Sequence, residues 1–378
     1  MFKKVLILGS QRKKSHEIID FFKDNSDKYK VTALLCNDEK QFEYFKKQIK
    51  ELSPSVVFFP NNNLAEKIEE EFNIKCYFDY SQYSLFLKNT DCDLVISDFT
   101  GIDSVKLILA TIGEYKDIGL LNLEPILYSG KIIINEAKNK GVNLKLITSQ
   151  FHTFSQFLET RNLSDINKVT LIDYDTKEDK ENLINYTYPS KTISEFKKIM
   201  YYKNKMWLSR HLIGMCNLYD LDVDDFQYYK SNTGKVNLIL QLKDGSNFFN
   251  YFKNTKEIIY NHYYLENKNI KEIDSLENKI DIKLQKINEE EIKTLELAKS
   301  AIKKGGSYPI LFQIVYDICA EGIYNNNLSH DSFVKIFSKI IEDDSLYSKN
   351  PNIQTIFALE EKIRLKIESE YYKKKTKK

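Results

Sequence analysis

Val5-Leu6-Ile7-Leu8-Gly9-Ser10 is an apolar run that ends in glycine and leads into an amphipathic segment at residues 15–25. A strand, a tight glycine turn and a helix in that order bring backbone N–H groups and a helix N-terminus up to a phosphate. Of the glycines such a turn uses, only Gly9 is there, and Arg12, Lys13 and Lys14 fill the rest. Three cations beside a helix N-terminus oppose its dipole unless an anion is bound. In a lysine-rich chain they are also expected simply as solvated side chains. The stretch is therefore a cofactor site, a rebuilt one, or the remains of one. A second residue of interest, Asp38, follows the apolar run Tyr29–Cys36. A carboxylate there accepts a ribose 2′-OH and repels a 2′-phosphate, or merely turns the chain out of a strand.

These residues need a sheet to hold them. Through residue 145 short apolar runs at 4–8, 29–36, 55–60, 74–79, 92–99 and 117–125 alternate with segments of helical period. Such alternation implies a parallel sheet covered by helices on both faces. Beyond it, residues 168–175, 235–252 and 279–284 read as strands, with Asp244-Gly245-Ser246 as a turn. Residues 192–221 are mostly helical in period. Helices dominate toward the C-terminus, where Gly305-Gly306 stops one of them. In the last, Ile353, Ile356, Phe357, Ile363 and Ile367 mark one apolar face. The closing lysine-rich residues 373–378 are expected to be a solvated tail.

The whole composition bounds the partners. A chain of 378 residues is long enough for two or three domains, and a net charge of +2 points to no strongly charged partner. Cys36, Cys76, Cys92, Cys216 and Cys319 have no paired spacing, so neither a disulfide framework nor a zinc site is expected. No apolar run nears the ~20 residues of a membrane span, and the N-terminus runs straight into a strand. A cytoplasmic protein with no membrane and no nucleic-acid partner is the expectation.

The order of elements resembles the 1-deoxy-D-xylulose-5-phosphate reductoisomerase family over nearly the whole chain. Residues 3–10 resemble its opening strand and turn, 120–133 its Asn-Lys-Glu segment, and 144–158 the strand and helix that carry its metal ligands. Residues 240–246 are similar to its central hairpin, and 295–333 to its C-terminal helices, with Gly305, Gly306 and Pro309 in place. The resemblance implies an NADPH-dependent, divalent-metal enzyme that rearranges and reduces a sugar phosphate. It implies an α/β fold: an N-terminal Rossmann-like doubly wound parallel sheet (1–145), a central α+β domain (146–288) and a C-terminal helical domain (289–378). Family enzymes pair through the central domain, so a homodimer is expected.

Position by position, the family's chemistry is missing. By resemblance Gly9, Ser10, Asn122 and Glu124 stand where the family touches its cofactor, with Asp38 at the ribose. The lysine between Asn122 and Glu124 has become Leu123. The family's Asp-Ser-Glu metal triplet reads Thr148-Ser149-Gln150, which keeps only Ser149, a substrate-contact position. Mg²⁺ and Mn²⁺ need anionic oxygen, which that triplet lacks. A gapless count sets the third ligand position at His211, and His152 with His211 could at most form a softer site. Asp173, Asp175 and Asp179 replace a phosphate-gripping loop, and Tyr188-Pro189 stands near the family's lid. Trp207, the single tryptophan, is expected in the core.

The sequence thus points to a reductoisomerase-like protein without reductoisomerase activity, in a binding or regulatory role. No catalytic residue, cofactor or divalent metal is expected, and a small phosphorylated ligand is the molecule the inherited fold would hold. The alternative is an active NAD(P)H-dependent oxidoreductase of the same family, NADH being favoured by Asp38.

Overall fold

The computed structural model describes residues 2–114, 116–174, 193–232, 235–251, 282–289, 292–329 and 331–372. Contacts divide the chain into two units. The first is Met1–Leu123 with Ile133–His152; the second is Glu124–Ile132 with Thr153–Tyr251 and Glu277–Lys378.

The first unit is a seven-stranded, wholly parallel sheet. Strands β1 (Lys3–Leu8), β2 (Tyr29–Leu35), β3 (Val56–Phe58), β4 (Lys75–Tyr77), β5 (Leu94–Ser97), β6 (Asp117–Leu120) and β7 (Leu144–Leu146) lie in the order β4-β3-β2-β1-β5-β6-β7. The chain winds outward from β1 to β4 and returns on the other side at β5. In open α/β sheets the crevice at that reversal, beyond the carboxyl ends of the strands, is where ligands sit. Helices α1 (Lys13–Asp24), α2 (Phe42–Leu52), α3 (Asn62–Phe72), α4 (Tyr83–Asn89) and α5 (Asp103–Gly113) make the crossovers.

Strand periodicity explains why both faces are covered. Val5 and Ile7 join Ile18, Phe21, Phe22, Phe45, Ile49 and Ile68 in one core. Leu6 and Leu8 point the other way, into a second core with Phe58, Tyr83, Phe86 and Leu107. A strand buried on both faces must be continuously apolar, which is the pattern of residues 5–8.

Short helix α6 (Glu124–Ser129) belongs to the second unit, whereas α7 (Ile132–Asn139) returns largely to the first. The sequence reading ran the strand into one helix there and did not separate α6. Helix α8 (Ser149–Thr160) buries Phe151, Phe154 and Phe157 at helical spacing.

In the second unit β8 (Ile166–Tyr174), β9 (Phe226–Ser231), β10 (Leu238–Leu242), β11 (Asn247–Phe248) and β12 (Leu284–Lys286) form a mixed sheet ordered β11-β10-β8-β9-β12. β8 and β9 run parallel, and the other pairs are antiparallel. Gly245, at φ +86°, and the Asp244 carboxylate, which accepts from the Ser246 amide, turn β10 into β11. Of the strand expected at 279–284, residues 279–281 lie outside the described residues, 282 and 283 are not in a strand, and β12 begins at Leu284. Long helix α9 (Ile193–Tyr219) is joined by α10 (Lys293–Lys304), α11 (Tyr308–Tyr324), α12 (Ser332–Ile340) and α13 (Ile353–Tyr371). Helix α10 stops at Gly305, whose φ of +69° suits glycine. On α13 the buried stripe is Ile356, Leu359, Ile363 and Ile367. Expected Ile353 and Phe357 are half-exposed, because the stripe runs through Leu359 instead.

Candidate functional site

The β1–α1 turn stands at the sheet's reversal. Gly9 has φ +78°, and a Cβ there would meet the Asp98 carbonyl carbon at 3.2 Å and the Phe99 nitrogen at 3.3 Å. The neighbouring strand end therefore requires glycine independently of any ligand. The amides of Gly9 and Ser10 both donate to the Leu35 carbonyl, at 2.9 and 3.0 Å. Ser10 is buried: its hydroxyl donates to Gln48 Oε1 at 2.9 Å, and Gln48 Nε2 donates to the Ser10 carbonyl. The Ser15 hydroxyl donates to the Gly9 carbonyl. Gln11, also buried, donates to Asn37 Oδ1.

Two of the turn's cations keep solvent contact and also bond across the sheet's edge: Lys14 is exposed and Arg12 half-buried. Arg12 Nη1 donates to Thr100 Oγ1 at 2.8 Å, and its Nε lies 3.7 Å from Asp98 Oδ2. Lys14 Nζ donates to the Leu121 carbonyl at 2.7 Å. Arg12, just before α1, and Lys14, in its first turn, thus reach over the carboxyl ends of β5 and β6. Asn122 ties the same edge together, donating to Asp98 Oδ1 at 3.3 Å and to the Phe99 carbonyl at 3.1 Å. Asp98, only 5% exposed, is the hub that sequence reasoning passed over as the tail of a strand. A carboxylate directly after a buried apolar strand was its available signal. Asp38, half-buried, caps the one-turn helix Glu39–Gln41 by accepting from the Lys40 amide at 3.1 Å. Ser149 is the first residue of α8, beside Thr148, whose Oγ1 is buried, and the buried amide Gln150.

A family model described as 1-deoxy-D-xylulose 5-phosphate reductoisomerase matches residues 5–130. The enzyme of that name from Clostridium novyi is 23% identical over 393 residues, spanning 98% of this chain and 99% of the relative. The chain is thus similar to the 1-deoxy-D-xylulose 5-phosphate reductoisomerase family, by the family model over residues 5–130 and by single relatives along nearly its whole length. The relative from Geotalea uraniireducens is 28% identical over 172 residues, and there the alignment covers 45% of the chain and 44% of the relative. The Zymomonas mobilis reductoisomerase, solved in complex with NADPH, has the same fold: TM-score 0.82 at 16% identity over 98% of this chain and 99% of that one. A DOX-P reductoisomerase in complex with magnesium gives the same TM-score, 0.82, at 16% identity over 98% of each chain.

In the second unit, Glu124 opens α6 and forms an ion pair with Arg210 of α9 at 3.3 Å, each side chain 18% exposed. Arg210 Nε donates to Gln313 Oε1 at 3.0 Å, and the guanidinium lies over the Tyr316 ring, 4.2 Å from its centroid. Gln313 Nε2 and the Tyr128 hydroxyl both donate to Asp317 Oδ2, the former at 2.7 Å. Burial, reinforced by Glu124 and opposed by Arg210, pushes the Asp317 carboxyl up to about 7. His211 stacks on Trp207 with ring centroids 4.0 Å apart, and its Nδ1 lies 2.8 Å from the Trp207 carbonyl. Trp207 is accordingly half-exposed rather than a core residue. His152 is buried, at 1% exposure. Among the described residues no three His, Cys, Asp or Glu side chains stand together as a metal-binding group. Asp175, Asp179 and Tyr188-Pro189 lie outside the described residues.

Proposed function

We propose that this chain keeps the reductoisomerase fold without the reductoisomerase reaction and works as a binding or regulatory protein. One observation carries the reading: the crevice edge at the sheet's reversal is spanned by the chain's own cations. Arg12 is committed to Asp98 and Thr100, and Lys14 to the Leu121 carbonyl. The two turn amides nearest the glycine are committed to Leu35. A pyrophosphate approaching this helix N-terminus would meet the Arg12 and Lys14 side chains, held by Asp98, Thr100 and Leu121, in place of glycines that allow close backbone approach, so the residues do not fit a dinucleotide. The metal triplet fits no better. Thr148, Ser149 and Gln150 offer two hydroxyls and an amide, all neutral, whereas Mg²⁺ is held by carboxylates. Leu123, where the family resemblance places a lysine, supplies no charge for a phosphate.

Neither NADPH nor a divalent cation enters this reading, and a small phosphorylated ligand remains the class to screen. The reading takes the protein as a cytoplasmic homodimer. Among the described residues no helix is long and apolar enough to cross a membrane. Light scattering at tens of micromolar that gives the mass of a single chain removes the dimer.

Thermal unfolding against NADPH, NADH, 1-deoxy-D-xylulose 5-phosphate and Mn²⁺, singly and combined, tests the function. A ligand at a hundred times its dissociation constant adds about 2.7 kcal/mol to the folded state, which is easily detected. No shift is expected with any of the four. A shift that needs NADPH and Mn²⁺ together overturns the reading. A shift with NADH alone replaces it by an altered oxidoreductase that uses Asp38.

A further inference from the structure

The second unit contains a charge cluster that the proposed function does not use. Helix α6 has six residues, too few to persist by itself in water. It is held down by its apolar residues Pro125, Ile126 and Leu127 and by two polar side chains. Glu124 reaches Arg210 on α9, and Tyr128 donates to Asp317 on α11. One guanidinium therefore serves two acids. Its N–H groups go to Glu124 and Gln313 and its face to Tyr316, while Asp317 accepts from two neutral donors, Tyr128 and Gln313.

We propose that Asp317 is a proton-operated latch on α6: the helix stays docked on α9 and α11 while this carboxyl is protonated and opens locally when it ionises.

With Glu124 and Asp317 both ionised, the cluster carries two negative charges against the single positive charge of Arg210. Bringing the second carboxylate out of water costs free energy that neutral donors only partly offset. Lifting Tyr128 away with α6 returns the carboxylate to water. Ionisation therefore favours the open form by linkage. Asp317 is half-buried, so a proton reaches it without global unfolding.

The surrounding groups leave this carboxyl as the titrating element. From α6 the facing groups are Glu124 and Tyr128; from α9, Arg210, with Tyr202 bonded to the Tyr316 carbonyl. Helix α13 brings Glu360, which acts on Tyr128, and Arg364, which pairs with Glu360 and with Glu321 of α11. Burial and the nearby acids push the Tyr128 phenol well above its ordinary range, so it remains a donor throughout. Helix α12 meets α11 through aromatic contacts of Phe312 with Phe333 and Phe337. Three lysines of α10 are engaged elsewhere: Lys299 with Glu289, Lys303 with Asp224 and Lys304 with the Ile341 carbonyl.

Amide hydrogen exchange of residues 126–129, corrected for intrinsic exchange, reads the latch directly. Between pH 6 and pH 8 the protection of these amides should fall about tenfold in the wild-type chain, as one ionisation centred near neutrality dictates. In Asp317→Asn, which keeps the shape and loses the titration, it should stay level. The carboxyl carbon of Asp317, followed by NMR, should titrate in the same interval. A level wild-type profile, an equal fall in D317N, or a carboxyl that titrates near the ordinary carboxylate range each overturns the proposal. The NMR and wild-type exchange arms decide it even if the variant fails to fold.

Discussion

Asp98 lies between Arg12 and Asn122, its Oδ2 3.7 Å from the Arg12 Nε and its Oδ1 3.3 Å from the Asn122 amide nitrogen. This carboxylate joins the ends of β1, β5 and β6 through side chains supplied by the β1–α1 turn and by the loop after β6. Truncating Arg12→Ala leaves Asp98 nearly buried without its cation and removes the bond to Thr100. A loss of about 1–2 kcal/mol in urea unfolding is expected, more than an exposed pair would cost. A change under a few tenths would mean that the bridge contributes nothing.

Gly9→Ala adds a Cβ 3.2 Å from the Asp98 backbone at a φ of +78°. Both the conformation and the contact oppose it, at about 2 kcal/mol together. Differential scanning calorimetry on the ligand-free protein checks this. If G9A is as stable as the wild type, the glycine must be explained by a ligand rather than by the fold.

Arg210→Ala removes the partner of Glu124, the Gln313 bond and the cover on Tyr316 in one step. With both charged side chains 18% exposed, the expected cost is roughly 2–3 kcal/mol. Glu124→Gln should cost less, since the amide oxygen still accepts from Arg210. Reversal of that ranking in denaturant midpoints would contradict the arrangement.

Acid and base act on Asp317 in a definite direction. Its carboxyl is held at about 7 in the folded chain against an ordinary 3.8. Between those values the folded state binds a proton that the unfolded state does not. The stabilisation from this group is therefore complete below the ordinary value and is lost as pH rises through about 7. Urea midpoints from pH 5 to pH 8 should decline in the wild type relative to D317N. Parallel curves for the two proteins would refute this.

The parallel sheet was legible because its strands are short apolar runs at helix-length intervals, and α10 because Gly305-Gly306 ends it. Gly9 was legible as a turn glycine, but its reason was not: the backbone it presses on is 89 residues away, at Asp98. Likewise Lys14 is the surface lysine it looked, but its bond was not legible, because the Leu121 carbonyl it reaches is 107 residues distant. Arg210 and Glu124 were hidden for the same cause. A charge on a long helix whose apolar period is weak does not announce which neighbour it faces, and Glu124 drew attention only through its place in a resembled motif.

Because α6 is grouped with the second unit while its flanks are grouped with the first, neither unit is an uninterrupted stretch of chain. Tyr128 and its acceptor Asp317 are 189 residues apart. At ribosomal speeds of 5–20 residues per second the phenol waits on the order of 10–40 seconds for its partner to be synthesised. A gene fragment cut after residue 145 would carry that phenol, with Ile126 and Leu127, and never receive what covers them. The boundary at residue 145 that the alternation of strands and helices suggests is thus a poor place to divide the protein for expression. Its biogenesis depends on keeping a nine-residue excursion out of trouble until the C-terminal helices arrive.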